Sequence, residues 1–572
     1  MGAIMLLKQF CDFAKQQEAK VPPPMFENRR IRWIVPLRSD GSFLGALEST
    51  CGNGRNPSSG KHFWAPYEYR ASACNPRLLA DTAEFVLGLV PQGREPQIST
   101  DRHAAFIDQV ERCAAATGSA TVRAIESFLR TWDARNWRLP EELSATHEVT
   151  FRVEETYPIQ DPEIILYWNT VCMATNHESS FRVCSICGLK TQSAKMRHFK
   201  IRNLVGGRTS GLSLVSSSVP SAESYGLESS NGVPTCSRCE EAMCRAANYL
   251  ISNPHSRIVC GSCTYIFWAD KHREFDFKSL LIQPDPSEVR ILEQAAFSGD
   301  GSVDRFDESP FNVAGLNANS ARVVVRDWMG TSLRELKKHL SRFFTLQQIV
   351  GSDGKSGKPM GLLGLVAGFE SRHGQLILQA LMRLAVEGGA LPIFPLVAAI
   401  RKNSIENAVT RNRAAIIKMV MLSQIQGSVE DSMTGLDSGN EQPGYLCGRL
   451  LALFQTIQWT AQSNINANVV DRFFAMASVA PRIVFPRLFR LSQAHLRKVH
   501  ERRPAAYFAL QNQLEEVIQK LPEFPAVLSM FEQGLFALGY YHQRAFDRHR
   551  AASRSASNRL PHNKVESEPA DV

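Results

Sequence analysis

The 572-residue sequence predicts a multidomain protein, α+β in its N-terminal and central parts with a knuckle insertion, and an all-α helical bundle at its C-terminus. Three observations carry that prediction. Between Phe181 and Trp268, three Cys-x-x-Cys pairs bracket a Gly/Ser-rich stretch unlike ordinary core. Before it, helical and strand periodicities alternate. After Glu370, apolar residues recur with the helical period almost to the end of the chain.

The first 165 residues supply the N-terminal α+β domain. Apolar Leu6, Phe10 and Phe13 predict an amphipathic helix over 4–19, ended by Pro22-Pro-Pro24. A strand over 30–36 follows, then a turn at Ser39-Asp-Gly41 and a second strand from Phe43. Residues 51–61 read as a loop, 77–92, 101–115 and 119–133 as helices, and 148–154 as a strand. A β-rich central domain, 166–345, carries the cysteines. Its sheet is completed by strands flanking Cys260 and Cys263 and by 321–326, and a helix runs over 332–344.

The glycine-rich loop 351–358 fails the phosphate-loop pattern and reads as a linker, because Ile349 stands where the first glycine should be. Beyond it lies a helical domain, 346–430, with apolar runs at 376–386, 392–400 and 413–423. A polar stretch, 428–444, then leads to the bundle at 431–550, with helices at 445–462, 466–478, 484–500, 504–520 and 524–548. The tail, 551–572, is low in apolar residues and is expected to be disordered.

Composition narrows the function. A hydrophobic content of 44% is enough to fill several cores. An odd number of cysteines, thirteen, and a start without signal-peptide pattern predict a reducing, cytoplasmic setting. The longest apolar run, 388–400, contains Pro392 and Pro395, so no membrane span is expected. The net charge of +9 favours an anionic partner. Basic residues concentrate at 481–503, where seven Lys/Arg face one acid. On a helical wheel Phe485, Phe489, Ser492, Leu496 and Val499 share one face and Arg487, Arg490 and Arg497 the other. That stripe is either a solvated surface or a phosphate-binding one.

The pairs Cys184/Cys187 and Cys236/Cys239 have the spacing of two knuckles, and four thiolates suit a structural zinc. Reduced core cysteines or redox-labile pairs are the alternative. Cys260 and Cys263 sit in a β-branched, aromatic context that reads as a buried hairpin. A zinc deaminase would need His-x-Glu or Cys-x-Glu upstream of Pro234-Thr-Cys236, and neither is there. A nuclease would need carboxylate or histidine pairs, and no Asp-x-Asp, His-Asp or His-x-His lies near the knuckles.

Several segments together resemble one family, the large subunit of the type I-C CRISPR surveillance complex (Cascade). They are Val21-Pro-Pro-Pro24 with Asp40-Gly41, then Arg70-Ala-Ser72 with Pro76 and Asp81-Thr82, then Gly211-Leu-Ser-Leu-Val-Ser216, Ser224-Tyr-Gly226, Asn231-Gly-Val-Pro234 and Phe267-Trp-Ala269. Further on, Asn317 to Trp328 is similar to the family's strand-then-helix segment, and Glu532-Gln-Gly534 through Gly539-Tyr-Tyr-His-Gln-Arg544 is the most specific stretch. The complete double Cys-x-x-Cys is not part of the family pattern, so the zinc rests on spacing.

The resemblance implies a non-catalytic DNA-binding subunit. It implies an assembly with crRNA, target double-stranded DNA, backbone and small subunits, and a separate helicase-nuclease effector. Base pairing would read sequence while the protein reads a short flanking motif, the PAM, and backbone shape. It points to Lys61, Arg70, Ser72, Asn75 and Arg77, to Arg208 and Ser210 in the glycine-flanked segment, and to Arg487, Arg490 and Arg497 as nucleic-acid contacts. It further implies a separate small subunit translated from an internal start, at Met433 or Val429. A zinc-dependent processing enzyme and a basic scaffold without DNA readout are the competing functions.

Overall fold

Trp33 to Leu37, a run with every side chain buried, is the spine of the first half of the chain. The computed structural model describes residues 2–18, 20–51, 60–68, 74–175, 177–194, 199–215, 234–269, 276–297, 308–424, 433–462 and 466–557. The chain groups into two compact units, Met1–Asp270 with Val313–Trp328, and Lys271–Asn312 with Met329–Val572. It is α+β with a helical C-terminal region.

The first unit runs α1 (Gly2–Gln16), β1 (Phe26–Ile31), β2 (Trp33–Leu37), β3 (Glu48–Ser49), β4 (Lys61–Pro66), β5 (Ala80–Thr82), α2 (Ala83–Leu87), α3 (Pro96–Thr117), α4 (Ala120–Thr131) and β6 (Glu148–Val153). It continues through α5 (Pro162–Thr175), β7 (His177–Val183), β8 (Lys190–Ala194), α6 (Ser237–Ser252), β9 (Arg257–Cys260) and β10 (Cys263–Ala269), and β11 (Pro310–Asn319) and β12 (Arg322–Ser332) extend its sheet. Two four-stranded sheets have the orders β3-β2-β6-β5 and β12-β11-β10-β9, and β1-β4 and β7-β8 form two-stranded ones. β2 and β6 are parallel, which requires a crossover, and α2 to α4 provide it.

Several expectations fail here for physical reasons. The strand expected over 30–36 divides at Arg32, because β1 pairs with β4 while β2 pairs with β3 and β6. The helix expected over 77–92 shrinks to α2. Leu79 takes a left-handed φ of 56°, Ala80–Thr82 pairs with β6, and Gly88 (φ 70°) ends the helix. The knuckle region is also less β-rich than expected, since Cys236 caps a long helix. The sequence boundary at 165 leaves no trace in packing: Phe10, Phe151, Trp168, Met243 and Trp268 belong to one core, with the Phe10 and Trp268 ring centroids 5.2 Å apart.

The second unit is helical: α7 (Phe277–Ile282), α8 (Pro286–Phe297), α9 (Leu333–Gln347), α10 (Leu362–Leu365), α11 (Ser371–Glu387), α12 (Phe394–Glu406), α13 (Arg411–Ser423), α14 (Pro443–Ala461), α15 (Val469–Ala477), α16 (Pro481–Arg502), α17 (Pro504–Gln519) and α18 (Met530–Ser557). Ser332 caps α9 by accepting the Glu335 N–H. The loop at 351–358 closes on itself, Gly351 N–H donating to Lys355 O and Gly354 N–H to Gly351 O. α18 runs to Ser557, beyond the expected start of the tail at 551, and residues after it lie outside the described set.

α14 and α18 cross almost backbone on backbone. A Cβ at Gly444 would lie 2.5 Å from Glu532 O, and one at Gly448 or Gly539 would overlap the carbonyl oxygen of Phe536 or Tyr445. Beside this contact Arg449 is 1% exposed, donating to Gln543 (3.0 Å) and Glu516 (3.1 Å). Tyr445 OH accepts the Asp437 N–H, which leaves its own O–H to donate to His542 Nδ1 at 3.1 Å.

Candidate metal centre and nucleic-acid surfaces

The cysteine centre joins a hairpin to a helix. Between β7 and β8 the chain turns through Cys184-Ser-Ile-Cys187-Gly188. Cys184 N–H donates to Leu189 O and Gly188 N–H to Cys184 O, with Gly188 at φ 73°. Ser185 N–H donates to Pro234 O at 2.8 Å, which brings the second knuckle alongside the first. Cys236 is the N-cap of α6, and Cys239 stands in its first turn. The backbone N–H of Cys236 donates to Cys184 Sγ at 3.4 Å.

All four sulfurs lie within 4.8 Å of one another, and Cys187 and Cys236 are 4.0 Å apart. Zinc–sulfur bonds of about 2.3 Å in a tetrahedron put sulfurs about 3.8 Å apart, so the set fits such a metal with a small contraction. Cys184, Cys236 and Cys239 are buried and Cys187 is exposed. Hydrogen bonding to Cys239 and burial push the Cys236 thiol up, and hydrogen bonding to Cys11 does the same for Cys239. A cation that displaces protons relieves such crowding. Cys260 and Cys263 face each other across the β9–β10 turn, each pushed up to about 12 by burial, and are not among these four.

The N-terminal candidates separate. Lys61 is exposed at the start of β4, its ammonium 5.5 Å from the Phe63 ring. Asn75 is half-buried. Arg70 and Ser72 lie outside the described residues. Arg77 is a correction: it is 4% exposed, and its guanidinium pairs with Asp81 at 3.0 Å and Glu148 at 2.5 Å, with Arg29 on the same Glu148 at 2.9 Å. A side chain so engaged holds β5 to β6 instead of reaching a base.

Arg208 stands on the rim of a cleft of about 550 Å³ framed by β1, the segment 199–209 and α6. Arg29, Arg30, Lys200, Arg202 and Arg245 line it as well. Ser210 is exposed in the adjoining turn. No local pattern in the sequence marks this site, because its cations come from three segments far apart in the chain, Arg29 with Arg30, Lys200 to Arg208, and Arg245.

On α16 the predicted wheel is realised. Phe485, Leu488, Ser492, Leu496 and Val499 are buried, Phe489 packs partly buried on the same core, and Arg487, Arg490 and Arg497 are exposed. Arg487 lies 5.6 Å from the Phe473 ring centroid. Among the described residues the helix's ion pair is made by Arg482, to Glu523 at 3.4 Å. No described helix is long and apolar enough to cross a membrane.

The family described as CRISPR-associated protein (Cas_Csd1) matches residues 7–546. No curated protein matches the chain. With nearly its whole length matched, the chain belongs to the Cas_Csd1 family, the large subunit of type I-C Cascade.

Proposed function

We propose that this chain is a non-catalytic subunit that helps a crRNA-guided complex bind PAM-flanked duplex DNA, supports R-loop formation and recruits a helicase-nuclease in the cytoplasm. The observation that carries the DNA-binding part is the exposed stripe of Arg487, Arg490 and Arg497 on a helix whose other face is committed to core. Three phosphate contacts would contribute about −2.7 to the slope of log K against log salt. Charge reversal of all three to Glu should therefore weaken target binding by the assembled complex and flatten that slope. Unchanged affinity and slope would leave the stripe a solvated face and defeat this part of the reading.

The four cysteines would hold a structural zinc. Four thiolates fill a tetrahedron and leave no open position for a substrate, which favours a structural over a catalytic metal. Incubation of the complex with DNA and Mg or Mn, without the helicase-nuclease, should yield no cleavage. PAM readout is assigned to the N-terminal region around Lys61 and Asn75. Asn75→Ala should weaken PAM-bearing DNA more than scrambled DNA, and equal losses would remove it from PAM readout. A small subunit starting at Met433 or Val429 is consistent with the separate core that α14 to α18 build. Intact-mass spectrometry of the natively expressed complex decides it.

A further inference from the structure

We infer that the cleft between β1, the segment 199–209 and α6 binds one unstacked nucleotide, its phosphate among the arginines and its base against the aromatic wall. The inference rests on the nucleic-acid reading above and assigns that reading a second, separate contact.

Charge comes first. Seven lysine and arginine side chains line the cleft against two carboxylates, Glu27 and Glu241. Part of that excess is already spent: Arg29 pairs with Glu27 at 2.5 Å, and Arg245 with Glu241 at 2.7 Å while donating to Pro22 O. Lys200 is engaged too, its ammonium donating to Ser213 Oγ at 2.7 Å. Arg208 and Arg30 are exposed, and Arg30 Nε donates to the neutral ring of His62. Arg202 is half-buried, with Nε 3.6 Å from Glu27 and in no hydrogen bond. A half-buried guanidinium with an unsatisfied N–H is poised to take an anionic oxygen.

Shape and the remaining chemistry select the rest of the ligand. Trp64 and Tyr249 are half-buried in the lining and form its aromatic wall, while behind them the buried Tyr67 stacks on Phe199 and carries the Arg202 guanidinium 5.6 Å from its ring centroid. Aromatic planes beside arginines are how proteins hold single-stranded bases. Asn28 and Asn203 are exposed in the same lining and offer amide groups of the kind that read base edges. A volume of about 550 Å³ suits a small ligand and cannot admit a duplex. The ligand is therefore a nucleotide taken out of a stack, from the guide RNA or from a DNA strand.

α6 makes the wall firm. Glu241, Arg245 and Asn248 recur on one helical face toward the cleft, and Asn248 fixes the segment 199–209 by accepting from Arg202 N–H and donating to Lys200 O, both at 2.8 Å. The same helix begins at Cys236 and Cys239.

The assembled complex, carrying its guide RNA and bound to target DNA, provides the test. One arm places 4-thiouridine through the RNA, the other 5-iodouracil through the DNA, and crosslinked peptides are mapped by mass spectrometry. Crosslinks should fall on Trp64, Tyr249 or the segment 199–209 in one arm, which identifies the strand. Arg202→Glu with Arg208→Glu should reduce them by about tenfold or more. If that variant does not assemble, the exposed Arg30→Glu serves. A complex that binds target DNA but shows no crosslink in the cleft in either arm overturns the inference, as do crosslinks undiminished in the variants. A complex that binds no target DNA fails the parent reading instead.

Discussion

In the first unit four sulfurs from a hairpin turn and a helix start converge within 4.8 Å, whereas the tightest join in the second, α14 on α18, is made by glycines with almost no side chain between the backbones. The first arrangement suits a chain whose elements are short, whose sheets are small and whose core mixes aromatic rings with buried charges such as Arg77 and Asp81. A point crosslink can fix segments that periodic packing would not. The second suits long helices, where close approach multiplies weak contacts along the crossing. Stability in one unit should thus depend on a few ligands, and in the other on the lack of a few methyl groups.

The sharpest way to break the comparison is at the cysteines. Cys236→Ser with Cys239→Ser, or prolonged chelation, should remove about one zinc per chain by elemental analysis and destabilise the first unit by about 5 kcal/mol or more, since structural zinc sites bind with about 10–16 kcal/mol. Melting of the second unit should stay in place. A chain that never carried zinc would refute the crosslink.

Next comes the buried ion cluster. Arg77→Ala takes the guanidinium from Asp81, which is fully buried and keeps hydrogen bonds from the backbone N–H groups of residue 77 and Thr82, and should cost the first unit about 3 kcal/mol in denaturant unfolding. Its effect on DNA should be the same for PAM-bearing and scrambled sequences. A PAM-selective loss without destabilisation would return Arg77 to the interface.

In the second unit Gly448→Ala should cost about 2 to 3 kcal/mol despite the helical preference for alanine, because the new methyl overlaps Phe536 O. Gly364→Ala in α10, whose Cβ would meet only Met360 at 4.0 Å, is the control and should be neutral or slightly stabilising. Equal effects would remove the argument for the glycine crossing.

The smallest effect is one of pH. Burial, then the charge of Lys418, lowers His542 to about 3, so it is neutral in the folded chain. The unfolded chain takes up a proton near pH 6.5, and stability from this group is complete above that value. It falls as pH drops toward 3, by up to about 1.4 kcal/mol per unit. Thermal melts of the second unit between pH 7 and 5 should show the decline, and His542→Gln should reduce it.

The helical half was legible because it obeys one period: the wheel of α16 and the helix expected over 332–344 both appear in the structure. The cysteine pairs were legible because two Cys-x-x-Cys turns mark themselves by spacing, and the structure brings their four sulfurs within 4.8 Å of one another. The segment after Arg77 misled, since Arg77 and Asp81 at i,i+4 look like a helical pair while tertiary pairing with β6 makes a strand of Ala80–Thr82. β11 was missed as an element, although Asn317 lies within it. The cleft was illegible for a different reason. Arg30, Arg202 and Arg245 become neighbours only after β1, the segment 199–209 and α6 are assembled, and no local pattern carries that information.

One helix, α6, has cysteines at its first turn and cleft-lining residues at Glu241, Arg245 and Asn248. Its 16 residues span about 24 Å, so the two ends are connected by a single rigid strut. If those four sulfurs hold zinc as proposed, cobalt in its place would turn the strut into an optical gauge. Its thiolate absorption bands, sensitive to small changes in ligand angle, would shift when the far end of the helix takes its load, and occupancy could be followed by colour without labelling RNA or DNA.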